Sequence, residues 1–224
     1  NKFLNVVDAT CPLVKKVHIE AIRYHDQGHK IILVGHIGHP EVEGTAGRVP
    51  GGVTVVETVE QIRSLKFTDS EKLAYVTQTT LSVDDTKKII EALKIKYPLI
   101  KGPDTRDICY ATQNRQKSVR ELAKCSDVVL VLGNKNSSNS VRLAEISALT
   151  GVPTYRIADK DEINIELIKE FNVIGITAGA STPEVLVKDL INFIKKSFSK
   201  NITVEILDGA EEKVNFKLPE LFND

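Results

Sequence analysis

In Lys30-Ile31-Ile32-Leu33-Val34-Gly35 an unbroken apolar run, Ile31 to Val34, follows a lysine and stops on a glycine. A strand with no polar face belongs in a parallel sheet covered by helices on both sides. The run returns as Val128-Val129-Leu130-Val131-Leu132-Gly133. Gly133 lies 98 positions after Gly35, and Cys109 lies 98 positions after Cys11. At the same offset His39 answers to Ser137 and Glu41 to Asn139. Thr177 follows Thr77 by 100 positions, so only about two residues are inserted between these landmarks. Repetition at this length is a statement about the fold. It predicts an α/β protein of two related units with mostly parallel sheets, over residues 1–100 and 101–200, with a tail over 201–224.

The rest of each unit reads outward from its apolar strand. In the first, residues 5–7 suggest a short strand, Cys11 a turn, and residues 12–27 a helix ending near Gly28. After Gly35 comes the loop His36-Ile37-Gly38-His39-Pro40-Glu41-Val42-Glu43-Gly44, with Pro40 suited to a first helical turn. Strands over 53–56 and 73–77 bracket a short helix over 59–65. Gln78-Thr79-Thr80-Leu81-Ser82 then leads into a helix that ends before Pro98. The second unit predicts helices over 113–124, 141–150 and 163–170, and strands over 153–157 and 173–177. Ala178-Gly179-Ala180-Ser181-Thr182-Pro183-Glu184 opens its last helix. The tail offers two weak strands, 202–207 and 214–218.

Composition narrows the class. Among 224 residues, 30 are basic and 30 acidic, which argues against a nucleic-acid surface and leaves no acidic tail. Three cysteines are an odd number, unsuited to a disulfide framework and consistent with a reducing, cytoplasmic setting. No apolar run approaches the ~20 residues of a membrane span. The chain starts on Asn1 and contains no Met, so a further N-terminal part is expected.

In parallel α/β sheets ligands bind beyond the carboxyl ends of the strands. The polar loops fall there: Cys11, His36–Glu41 and Gln78–Ser82 in one unit, and Cys109, Asn134–Ser140 and Ala178–Thr182 in the other. Two such units facing each other would gather these loops around a central cleft. Each loop opens a helix, and free helix-head N–H groups suit an anion. Capping alone would explain Ser140, Ser181 and Thr182. Ser137-Ser138-Asn139-Ser140 holds more donors than one cap needs and reads as a diphosphate site. The absence of Gly-Lys-Ser/Thr disfavours ordinary nucleotide hydrolysis.

Cys11 and Cys109 form an equivalent pair at helix heads, where backbone amides favour a thiolate. Such a pair could anchor an iron–sulfur cluster or zinc, and both want further ligands. Cys125 has no counterpart, since Gln27 stands 98 positions earlier, and reads as structural. His36 and His39 match no standard zinc spacing; His39 and Glu41 fit proton donation and positioning better. His18, His25 and His29 read as solvated. A non-catalytic diphosphate-binding module with buried cysteines competes with an enzyme here, and a zinc-held scaffold ranks below both.

Six stretches in order resemble the 4-hydroxy-3-methylbut-2-enyl diphosphate reductases, the LytB family. They are Asp8-Ala9-Thr10-Cys11-Pro12, Gly35 to Gly44, Thr77 to Ser82, Ile108-Cys109-Tyr110-Ala111-Thr112, Lys135 to Ser140, and Thr177 to Ser181. The resemblance covers nearly the whole chain. It implies a fold of three α/β units around a [4Fe–4S] cluster held by one cysteine per unit, two of them Cys11 and Cys109. It implies that His39 and Thr79 contact the substrate, that Glu41 delivers protons, and that Ser137, Ser138, Asn139 and Ser181 grip the diphosphate. The implied reaction is a reductive dehydroxylation of an allylic diphosphate to isopentenyl and dimethylallyl diphosphates, the last step of the methylerythritol phosphate route. Electrons would come from a donor such as ferredoxin or flavodoxin. The family's first unit and its cysteine have no counterpart here, so this chain alone is expected to hold the cluster poorly and turn over little.

Overall fold

Alternate side chains of β4 (Val128–Leu132) feed two different cores, which is what a strand apolar on both faces predicts. Val129 and Val131 pack with Val119 and Ala123 of α5 (Tyr110–Lys124) and with Leu143 and Ile146 of α6 (Ser138–Ala148). Leu130 and Leu132 pack on the opposite face with Leu190 and Ile194 of α8 (Glu184–Ser197). In a computed structural model, residues 7–104, 107–198, 201–210, 214 and 216 are described. They divide into two compact units.

The first unit draws on Asn1–Thr79 and Val83–Cys109. Its elements are α1 (Pro12–Asp26), β1 (Lys30–Val34), α2 (Pro40–Ala46), β2 (Thr54–Val56), α3 (Val59–Ser64), β3 (Leu73–Thr77) and α4 (Val83–Lys96). All pairings in its sheet are parallel, in the order β2-β1-β3, with Val34 opposite Val56 and Thr77. Ile31 and Leu33 pack on Val17 and Ala21 of α1 and Val42 of α2. Thr58 starts α3 with a capping box, accepting from Gln61 N while the Gln61 side chain reaches back to the cap.

The second unit draws on Thr80–Ser82 and Tyr110–Glu211. It adds β5 (Thr154–Ile157), α7 (Ile165–Ile168) and β6 (Ile174–Ala178) to α5, β4, α6 and α8. Its sheet is again parallel, in the order β5-β4-β6. The α/β class and the parallel sheets are therefore as expected. Among the described residues no helix is long and apolar enough to cross a membrane.

Several local expectations are corrected. Asn5 and Val6 lie outside the described residues, and Val7 is in no regular structure. The helix foreseen over 163–170 is a 3-10 turn, Lys160–Glu162, followed by the single turn of α7. Asn164 caps α7 by accepting from Glu166 N, which delays the helix start. Residues 202–207 form no strand, and Ile206 stands 93% exposed. Of 214–218 only Val214 and Phe216 are described.

His18 and His29 are buried, not solvated. The inward face of α1 holds Val17, His18 and Ala21 together, and the His18 ring lies near Gly44 of α2. His29 enters β1 with its ring edge-on to Tyr24, and Nδ1 lies 3.1 Å from Tyr24 O. Cys125 is exposed rather than packed. It occupies the turn after α5, with Sγ 3.3 Å from Leu122 O, before the buried strand begins.

Candidate functional site

Two short loops of the first unit meet at Glu41 and Thr79. Pro40 opens α2, and its fixed φ suits that position. Glu41 follows at once in the first turn, where a carboxylate is favoured by the helix dipole. Thr79 lies two residues beyond β3 and is buried. Its N–H donates to Glu41 Oε1 at 2.7 Å, and its hydroxyl donates to Oε2 at 3.0 Å. One threonine thus engages both oxygens of one carboxylate. Burial pushes Glu41 up to about 7, against the lowering effect of both Thr79 bonds. Near neutral pH this side chain can give or take a proton.

His39 is the N-cap of α2. Its Nδ1 accepts from Glu41 N at 3.2 Å, so the neutral ring carries its proton on Nε2. Burial, then the neighbouring His36, hold His39 below the ordinary histidine value. It is therefore an uncharged donor at neutral pH. Gln78, buried beside Thr79, accepts from His36 N at 3.0 Å and fixes the loop that carries His39. A Cβ at Gly35 would stand 2.6 Å from Val42 Cγ2 and 3.1 Å from Gln78 Oε1, so glycine permits this close approach.

The same network reaches one cysteine. Cys109 N donates to Thr79 O at 2.9 Å, which sets a half-buried thiol next to the Glu41–Thr79 pair in the chain of bonds. Two residues earlier, Asp107 is buried and accepts from Thr77 N at 3.2 Å. Its other oxygen lies 3.6 Å from Lys16 Nζ of α1. Burial raises Asp107 to about 6. No pattern in the sequence marked Asp107 as a linking residue, because an acid before a cysteine usually reads as a solvated loop.

Cys11 is the N-cap residue of α1, exposed, with its carbonyl accepting from Lys15 N at 3.0 Å. Asp8 braces the approach to it, accepting from Thr10 N and pairing with Lys15 at 2.8 Å. Among the described residues no group of three or more His, Cys, Asp and Glu gathers as a metal ion would need. The donor chemistry still fits thiolate ligation in part. Cys11 and Cys109 are free thiols, each at the head of a helix, and soft sulfur ligands suit iron–sulfur chemistry. Two thiolates are fewer than such a cluster takes.

In the second unit, Ser137 is the N-cap of α6 and accepts from Ser140 N at 3.3 Å. Ser138 Oγ accepts from the Thr80 hydroxyl at 3.1 Å. Asn139 is buried, and its amide is used internally. Nδ2 donates to Thr112 Oγ1 at 3.2 Å, and Oδ1 accepts from Ala180 N at 3.2 Å. Asn139 thereby ties the loop carrying the exposed Ser181 to the head of α6. Ser137 and Ser138 are half-buried beside it. A helix head with hydroxyl donors and no cation among them suits an anion bound through hydrogen bonds.

The description "LytB protein" is matched by residues 1–195. The chain belongs to the LytB family. It is 53% identical over 216 residues to 4-hydroxy-3-methylbut-2-enyl diphosphate reductase 2 of Bradyrhizobium diazoefficiens, covering 96% of this chain and 70% of that protein. Identity is also 53% over 216 residues to the 4-hydroxy-3-methylbut-2-enyl diphosphate reductase of Zymomonas mobilis, covering 96% of this chain and 63% of that one. Among solved structures, the E-1-hydroxy-2-methyl-but-2-enyl-4-diphosphate reductase of Plasmodium falciparum superposes with a TM-score of 0.89 at 38% identity. That match covers 96% of this chain and 67% of the other. The LytB chain thus spans 63% to 70% of the length of these two curated relatives.

Proposed function

We propose that this LytB chain serves the reductive dehydroxylation of 4-hydroxy-3-methylbut-2-enyl diphosphate to isopentenyl and dimethylallyl diphosphates. The reaction breaks one C–O bond, takes up two electrons and two protons, and releases water. One proton leaves with the hydroxyl oxygen and the other ends on carbon. The electrons come from a small carrier of the ferredoxin or flavodoxin class, in the cytoplasm. The observation that carries the reading is the carboxyl of Glu41 held by both donors of Thr79 and raised to about 7. The names of the relatives supply the substrate class.

Cys11 and Cys109 would be two ligands of a [4Fe–4S] cluster, with a third thiolate from outside these 224 residues. When bound, such a cluster supplies electrons and a Lewis-acidic iron. The rest falls to the protein's own side chains. Glu41 holds a proton near neutral pH, and Thr79 Oγ1 is the atom through which it passes. When Glu41 is ionised, the Thr79 hydroxyl donates to it. When Glu41 is protonated, it can donate to Thr79 Oγ1, and the threonine proton is freed to face the departing hydroxyl. His39 Nε2–H orients the substrate without bringing a charge. Ser137, Ser138 and Ser181 donate to the diphosphate, while Asn139 holds their loops. In this assignment residues 1–100 and 101–200 are the second and third units of a three-unit enzyme.

The test grafts these residues into the matching span of the Zymomonas mobilis reductase and measures anaerobic turnover. Glu41→Gln keeps the size and hydrogen-bonding shape but removes the acid. The expected result is a kcat about 10² to 10⁴-fold lower with KM little changed. A Glu41→Gln protein with normal kcat would overturn the assignment.

A further inference from the structure

We infer that Ser140 is a positioning residue that forces the Ser137 hydroxyl to act as a hydrogen-bond donor toward the diphosphate. This rests on the reading of Ser137 as a diphosphate contact and names the residue that makes that contact selective. Ser140 is fully buried, at 0% exposure. Its backbone N–H donates to Ser137 Oγ at 3.3 Å, and its hydroxyl donates to the same oxygen at 3.1 Å. A serine oxygen has two lone pairs and one proton. With both lone pairs engaged from within, Ser137 keeps its proton for a partner outside. An ionised phosphate oxygen only accepts, so the site favours it over an ammonium, which only donates, and its charge makes the bond stronger than one to a neutral hydroxyl.

The repeat shows that this hydroxyl is not a packing requirement. Ser140 lies 98 positions after Val42, the offset that relates Cys11 to Cys109. Val42 is 1% exposed and belongs to the first unit's core. There the cap is His39, whose Nδ1 accepts from Glu41 N, and an apolar side chain fills the equivalent of position 140. The second unit instead buries a polar group, which is unfavourable unless it is paired. Its pairing is with the cap oxygen. Gly133 and Gly179 crowd the same hydroxyl: a Cβ at either would overlap Ser140 Oγ. The two glycines leave room for the hydroxyl and confine it against Ser137.

Inorganic pyrophosphate titrated into the full chain tests this, using wild type, Ser137→Ala, Ser140→Ala and the double variant, with the unfolding midpoint of each. Each single change is expected to weaken pyrophosphate binding about tenfold, the size expected for a hydrogen bond to a charged group. The double variant should bind no more weakly than Ser137→Ala, because Ser140 acts through Ser137. The midpoint of Ser140→Ala should not fall, since alanine suits a position where the sister unit carries valine. Additive losses, or a weakened affinity that comes with a lowered midpoint, would overturn the inference. So would a Ser140→Ala protein that binds like wild type while Ser137→Ala does not; in that case the diphosphate reading survives. Absence of pyrophosphate binding by the wild-type chain, or an unchanged affinity in Ser137→Ala, would overturn that reading and the inference together.

Discussion

Glu41 carries a pH signature of its own. Its folded value is about 7 against an unfolded value of 4.5, so the folded state binds the extra proton between them. The stability linked to Glu41 is complete below pH 4.5 and is lost as pH rises through about 7. Asp107 acts in the same direction between 3.8 and about 6. His18 and His39, both held low by burial, act oppositely: their contribution is complete above 6.5 and is lost as pH falls below it. Comparing Glu41→Gln with wild type isolates one group. The difference in unfolding free energy between pH 4.5 and 8 should be roughly a few kcal/mol at most, with the wild type losing more as pH rises. Parallel curves for the two proteins would contradict this. Turnover that needs protonated Glu41 should likewise decline above pH 7. His39 and Glu41 were legible from the loop His36–Glu41, because their spacing around Pro40 sets both at a helix head. The bond from Cys109 to Thr79 was not, since it joins residues 30 positions apart through a fold no local pattern encodes. His18 was misread for a related reason: a histidine beside Val17 is buried by packing that brings Gly44 of another helix next to its ring, which local spacing does not encode.

At the scale of elements, the 98-residue offset reproduces strands, caps and close approaches. β1 and β4 occupy the centre of their sheets, and each is followed by a glycine, a polar loop and a capped helix. The caps differ in chemistry: an imidazole nitrogen in one unit and a hydroxyl in the other. These elements could be read from apolar runs of four and five residues, whose burial on both faces leaves little ambiguity. The weak strand expected over 202–207 failed because exposed alternation alone buries no face, and Ile206 stands 93% exposed. Gly133→Ala puts a methyl group where the Ser140 hydroxyl lies. It should destabilise the chain by about 1–3 kcal/mol, read as a lower unfolding midpoint in denaturant, the usual penalty of overpacking. Thr58→Ala removes the α3 capping box and should lower stability by about 1 kcal/mol in the same assay. A midpoint unchanged in both would mean that these contacts do not hold the elements as described.

For the whole molecule, the chain joins two parallel-sheet units to a LytB family membership that spans residues 1–195. The family was legible because six ordered motifs carry it, four of them at or just after the carboxyl end of a strand. What local sequence could not supply is the full ligand set of a cluster, since two equivalent cysteines name two ligands and no more. The most direct measurement is anaerobic reconstitution of the chain with iron and sulfide, counting iron per chain and recording the visible cluster absorption. Wild type should acquire iron weakly and below full cluster occupancy. Cys11→Ser and Cys109→Ser should each abolish the absorption, while Cys125→Ser, which alters an exposed thiol in a turn, should leave it unchanged. Retention of the cluster spectrum in Cys11→Ser or Cys109→Ser would contradict the account, as would its loss in Cys125→Ser alone.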